Sequence, residues 1–134
     1  MAILQLTYAS RPFGFDSASL AGILLDARRC NARDGITGAL ICRDDLYLQL
    51  LEGPAGAVEA AYKRIAGDDR HIELRPLMRR KVDDTARLFP NWSMRDDPAQ
   101  SWVWTRAEVE DGVPERATEH EVAALFERLA STAT

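Results

Sequence analysis

Leu46 to Leu51 reads LYLQLL, and both of its faces are apolar. Side chains alternate along a strand, so Leu46, Leu48 and Leu50 share one face and Tyr47, Gln49 and Leu51 the other. A strand of this kind needs a packed layer on each side, which places it at the centre of a covered sheet. Ile36 to Cys42 is a second apolar run, separated from the first by the polar break Arg43-Asp44-Asp45. Together they predict a β-hairpin. Gln49 is the exception within it. A primary amide inside a sheet must find partners for two donors and one acceptor oxygen, or its burial costs about 1–3 kcal/mol. Two readings stand. Gln49 is exposed or satisfied by nearby backbone, or something flat and polar lying against the sheet uses its amide.

The rest of the chain supplies layers for such a sheet. Ile3 to Ser10 is a strand with Leu4, Leu6 and Tyr8 on one face and Ile3, Gln5, Thr7 and Ala9 on the other. A tyrosine pointing with leucines into a core needs a partner for its hydroxyl. Arg11 to Phe15 is a loop. Asp16, Ser17 and Ser19 offer N-cap oxygens for a helix running to about Arg29, with Leu20, Ile23, Leu24 and Ala27 as its buried stripe. Arg28 and Arg29 suit the negative end of that helix dipole, or contact a phosphate. Asn31 follows as a C-cap or turn residue. Pro54 opens a second helix at its first position; Val58, Ala61, Tyr62 and Ile65 form its stripe, and Gly67 ends it. Asp68-Asp69-Arg70-His71 is a charged connection. Ile72 to Lys81 and Arg87 to Met94 read as two further strands, the second putting Trp92 and Met94 on one face. Residues 95 to 116 are polar and irregular. Thr118 and Glu121 form a capping box. The helix after them carries Val122, Leu125, Phe126 and Leu129 as a stripe suited to covering Leu46, Leu48 and Leu50, with self-association as a second use for it.

The expected architecture is α+β. It is a ferredoxin-like sandwich of order β-α-β-β-α-β-β with one or two C-terminal capping helices. Residues 1–97 form the sheet domain and 98–134 the helical extension. A net charge of −4 argues against a nucleic-acid binder, and no apolar run approaches a bilayer span. Cys30 and Cys42 have no metal-type spacing, and His71 and His120 are far apart, so no metal site is expected. Without a signal-like N-terminus, free thiols in a reducing cytoplasm are expected.

Tyr8, Asn31 and Gln49 fall on adjacent elements, each inside a longer motif. These are LTYAS with Tyr8, RRCNARDGITGAL with Asn31, YLQLLEGP with Gln49, the segment from Arg64 to His71, and FPNWSM with Trp92 and Met94. In order and spacing, from about residue 3 to 97, the sequence resembles the BLUF domains, blue-light sensors that use FAD. The resemblance implies FAD held non-covalently between the two helices, with FMN or riboflavin able to substitute in recombinant protein. It implies Asn31 on the ring's polar edge, Gln49 bridging Tyr8 and the flavin, and Ile23 and Tyr47 lining the ring. Arg29, Arg64, Asp68 and His71 match positions at or near the flavin. Cys30 stands where an asparagine or histidine is frequent, which removes one polar contact to the cofactor's tail.

The chemistry agrees with that implication. Tyr8 is an electron-rich phenol able to release an electron and a proton together, and Gln49 has an amide able to reverse its hydrogen-bond pattern. The expected path then runs along the strand toward Trp92 and Met94; which of the two lies near Gln49 is open at this stage. Residues 98–134 are too few for a cyclase or phosphodiesterase, so a non-enzymatic, stand-alone sensor acting through an unknown protein partner is expected. A non-photoactive binding module on the same fold is the alternative. An acylphosphatase-like hydrolase is disfavoured, because the loop after Tyr8 has no phosphate cradle.

Overall fold

The computed structural model describes residues 2–12, 17–43, 46–67, 71–98 and 102–131. Asp16, the Asp44-Asp45 break and Asp68 lie outside these residues, as do the side chains of Ser17, Ser19, Leu20 and His71. The strand at Leu46–Gly53 (β3) is buried along its whole length. It pairs antiparallel with Ala2–Pro12 (β1) on one side and with Thr37–Arg43 (β2) on the other, the second pair forming the expected hairpin. His71–Asp83 (β4) pairs antiparallel with β1, and Arg95–Pro98 (β5) runs parallel to β2. The order is β4-β1-β3-β2-β5, a ferredoxin-like antiparallel sheet of four strands extended by a short parallel edge.

Alternation along the strands sorts the core into two layers. Leu4, Leu6, Tyr8, Leu40, Tyr47 and Leu51 pack with Ile23 and Leu24 of Ser17–Asp34 (α1) and with Val58 and Ala61 of Ala55–Ala66 (α2). On the opposite face Ala9, Leu46, Leu48 and Leu50 pack under Val122, Ala123, Phe126 and Leu129 of Glu119–Ser131 (α5). The two stripes read from sequence therefore meet as expected, and the Thr118–Glu121 capping box starts α5. That stripe packs against the sheet. Two short helices, Arg106–Glu110 (α3) and Val113–Arg116 (α4), precede it, so among the described residues the cap holds three helices rather than one or two.

Three other expectations are corrected. Residues 87–94 are not a strand. Asp83 accepts hydrogen bonds from the backbone N–H and hydroxyl of Thr85, capping a 3-10 turn at Asp84–Ala86. Trp92 N–H then closes a further turn on Phe89 O at 3.2 Å. The fifth strand is Arg95–Pro98, inside the stretch read as irregular. Its polar sequence carries no alternation, and pairing with the edge of β2 makes it a strand. Helix α1 runs five residues past Arg29, to Asp34. Gly35 ends it with a φ of 73°, a left-handed conformation that glycine adopts without strain. Ile36 N–H reaches Asn31 O at 2.9 Å, so the terminus is of the Schellman type and Asn31 lies in the last turn instead of capping it. Pro54 is the N-cap of α2, one position earlier than expected.

Phe126 is fully buried and meets Phe89 edge-on, with ring centroids 6.4 Å apart. Phe126→Ala is expected to lower the unfolding free energy by about 3–5 kcal/mol, read by urea denaturation with an unchanged m-value. The bonds from Thr85 hold the Asp83 carboxyl well below the usual carboxylate range. A depressed carboxyl contributes stability above its unfolded pKa and loses it as pH falls. The melting-temperature gap between the parent chain and Asp83→Ala should therefore be widest at neutral pH. It should close as pH drops through about 4 and below.

Candidate functional site

Gln49 is 1% exposed at the middle of β3. Tyr8 of β1 lies directly opposite it in register, and Leu40 of β2 on its other side. Directly opposed residues of antiparallel strands project on the same face, so the Tyr8 and Gln49 side chains meet between sheet and helices. The Tyr8 hydroxyl donates to Gln49 Oε1. Gln49 Nε2 points the other way, to Met94 Sδ at 3.6 Å. The amide thus spans a phenol and a thioether, its acceptor end at one and its donor end at the other. Tyr62 of α2 closes on Tyr8 edge-to-face at 5.5 Å. Burial pushes the Tyr62 phenol above its ordinary value, so Tyr8 has a neutral neighbour at physiological pH.

Asn31, 2% exposed, enters the same layer from α1. Its Nδ2 donates to Ser93 O at 2.9 Å, and Arg28 Nε donates to Met94 O at 3.1 Å. Residues three apart share a helix face, so this pair grips two successive carbonyls. Gly38 N–H adds a bond to Trp92 O at 3.0 Å. A Cβ at Gly38 would fall 1.9 Å from Leu50 O, so β2 can approach β3 this closely only with glycine there. The 92–94 backbone is therefore held from α1 and β2 while its methionine reaches the amide.

Ile23 and Tyr47 are buried in this layer as well. Among the described residues, the expected positions Trp92, Arg29 and Arg64 stand apart from it. Trp92 is 44% exposed, with Arg95 stacked 5.9 Å from its ring, whereas Met94 is 1% exposed. They do not share a face, because the alternation assumed for a strand is absent in these turns. Arg29 is exposed and paired with Asp26 at 3.5 Å. Arg64 is exposed on α2, where its charge acts on Asp34 at the end of α1. Arg28 was read as a dipole or phosphate contact, and its hold on Met94 O was missed. Its spacing of three from Asn31 was the available signal. Ser93 acts through its carbonyl, which leaves no trace in side-chain identity.

A flat ligand with a polar rim fits these residues. Buried phenol and amide groups face the apolar wall of Ile23, Leu24, Val58 and Ala61. Helix α2 rests closely on β1, β3 and β4, whereas the backbone of the longer α1 approaches no strand to the same extent. Among the described residues no helix is long and apolar enough to cross a membrane.

Known proteins are similar to this chain in sequence and fold. The photoactivated adenylate cyclase subunit beta of Euglena gracilis is 36% identical over 96 residues, covering 69% of this chain and 11% of that protein. The chain spans about a tenth of the length of the curated relatives it matches. The solved structure of BlrB, a BLUF protein in its dark state, superposes with a TM-score of 0.78 at 31% identity, over 98% of this chain and 97% of that one. A bacterial light-regulated adenylyl cyclase superposes with a TM-score of 0.69 at 29% identity, over 91% of this chain and 36% of that one. Residues 3–95 match the family model for BLUF, sensors of blue-light using FAD. With that span matched and that fold shared, the chain belongs to the BLUF family of FAD-binding blue-light sensors.

Proposed function

We propose that this chain senses blue light through a Tyr8–Gln49 switch and passes the change to a protein partner by way of Met94. The observation that carries the reading is the unbroken run from the Tyr8 hydroxyl through the Gln49 amide to the Met94 sulfur. FAD, when bound, supplies a strong oxidant on absorbing blue light. Residues Tyr8, Ile23, Asn31, Tyr47 and Gln49 would hold its ring. The exposed Arg29 and Arg64, together with Asp68 and His71, would lie at or near the flavin.

The chain's own groups suit the task. Tyr8 gives up an electron, and its proton leaves the phenol along the existing bond to Gln49 Oε1. Return of the electron and proton restores the phenol, but the amide need not return to its first orientation. With its two ends exchanged, Nε2 faces the Tyr8 oxygen and Oε1 faces Met94. A thioether sulfur is at best a weak acceptor and offers no proton, so the exchange weakens the Gln49–Met94 contact. The signal is therefore a displaced methionine, in a segment next to β5 and the C-terminal cap. We assign flavin binding to residues 1–97 and output to 98–134, with β5 crossing that boundary. We place the chain in a reducing cytoplasm, where Cys30 and Cys42 would stay thiols.

The purified chain is expected to be yellow and to show a reversible red shift of its flavin bands under blue light. A colourless chain that takes up no FAD rejects the reading. Tyr8→Phe and Gln49→Leu should each bind FAD and fail to shift; a normal shift in Tyr8→Phe removes Tyr8 from its role. Asn31→Ala should weaken FAD binding roughly tenfold, the equivalent of about 1.4 kcal/mol for one lost buried hydrogen bond, read by flavin fluorescence titration.

A further inference from the structure

Glu52 lies in β3 three residues beyond Gln49, so its side chain projects from the opposite face of the sheet. It is fully buried. Oε2 accepts from Gln5 Nε2 and from Leu88 N, each at 2.8 Å, and Oε1 accepts from Phe89 N at 2.9 Å. One residue earlier, Arg87 Nη1 donates to Glu52 O at 3.0 Å, to Gly35 O at 3.2 Å and to Thr37 Oγ1 at 2.9 Å. Residues 87–89 are thus tied to the end of β3 and the start of β2. The same segment ends at Met94, against the Gln49 amide. Between the two ends a single backbone bond, from Gly38 N–H of β2 to Trp92 O, ties it to a strand among the described residues, so no ladder sets its path.

We propose that Glu52 is a positioning residue for the light switch. Through the backbone N–H groups of Leu88 and Phe89 it sets the placement of the 87–94 segment that brings Met94 to Gln49. Its consequence for signalling rests on the photoswitch reading above; the placement itself does not. A carboxylate suits the position because both of its oxygens accept. An amide there would turn one end into a donor facing a backbone N–H. The same carboxylate reaches α5 by a second route. Gln5 Oε1 accepts from Arg80 Nε at 2.7 Å, and Arg80 lies 3.9 Å from Glu127.

The test compares Glu52→Gln with Val122→Ala in the full chain. Val122→Ala trims a fully buried side chain of α5 on the same face and removes no Glu52 bond. The chain has three methionines, Met1, Met78 and Met94, so methyl-labelled methionine gives a spectrum in which Met94→Leu identifies the Met94 signal. In the dark, Glu52→Gln should shift or split that signal, and Val122→Ala should leave it in place. An unmoved Met94 signal in Glu52→Gln overturns the proposal, whether or not the parent chain responds to light. Failure of the parent chain to shift sinks the sensor reading, while the methyl signal still decides the placement. In a photoactive chain, Glu52→Gln should change the dark-recovery rate by about fivefold or more. That change should disappear in a Met94→Ala background, since residues acting through one another are not additive. An equal effect in both backgrounds overturns the role through Met94. Should Glu52→Gln fail to fold, amide exchange in the parent chain decides. Leu88 and Phe89 N–H should be protected about 100-fold or more, and unprotected exchange at both overturns the proposal.

Discussion

A primary amide in the middle of a covered sheet is expensive to bury unless both of its ends are answered. Gln49 is answered by a phenol in the neighbouring strand and by a sulfur from a segment that is not part of the sheet. The two answers differ in strength. The Tyr8 hydroxyl is a full donor fixed by strand register, whereas Met94 offers a weak acceptor from irregular backbone. That inequality suits the amide to the switching role proposed above. Its orientation depends on which partner must be kept, and the weaker partner sits on the element that can give way.

The surroundings are organised to keep the weaker partner close. Irregular backbone has no ladder to fix it, so its position is set contact by contact. Asn31, Arg28 and Gly38 hold the carbonyls of residues 92–94, and Glu52 and Arg87 hold the start of the segment. Four of these five residues lie on α1, β2 or β3, the elements that form or flank the amide's own layer; Arg87 lies within the segment. The segment is accordingly clamped by the same layer that holds the amide, and a shift in the amide would change one contact among several.

What was legible in the sequence follows from how each residue acts. The centre of the sheet was readable because Leu46 to Leu51 is apolar on both faces, and apolarity has only one common cause there. The cover supplied by α5 was readable from its 3.6-residue stripe and capping box. The equivalent box at Thr105 and Glu108, which starts α3, carried the same signal in TRAE and was passed over inside a polar stretch. Residues 87–94 were misread because Leu88, Phe89, Trp92 and Met94 supply apolar side chains at spacings a strand would also use. The competing local bonds from Asp83 to Thr85 won. Arg95–Pro98 was invisible because a short edge strand is defined by backbone pairing. Tyr8 and Gln49 were singled out from their types and faces, but the pairing of one with the other is a matter of register, which appears only once β1 and β3 are aligned.

The same two-residue period accounts for how one strand can serve both layers. Gln49 and Glu52 are an odd number of residues apart, so β3 presents an amide to the helices α1 and α2 and a carboxylate to the side covered by α5. The 87–94 segment touches both groups, beginning at Glu52 and ending at Gln49. A change on one face therefore has a route to the other that does not require the sheet to bend. It needs only a segment pinned at the carboxylate to move at its methionine end, and Phe89, beside the pin, already rests on Phe126 of the cap. Sheets resist deformation because each inner strand is held by two neighbours, so the more compliant path between their faces is the chain that passes around the edge.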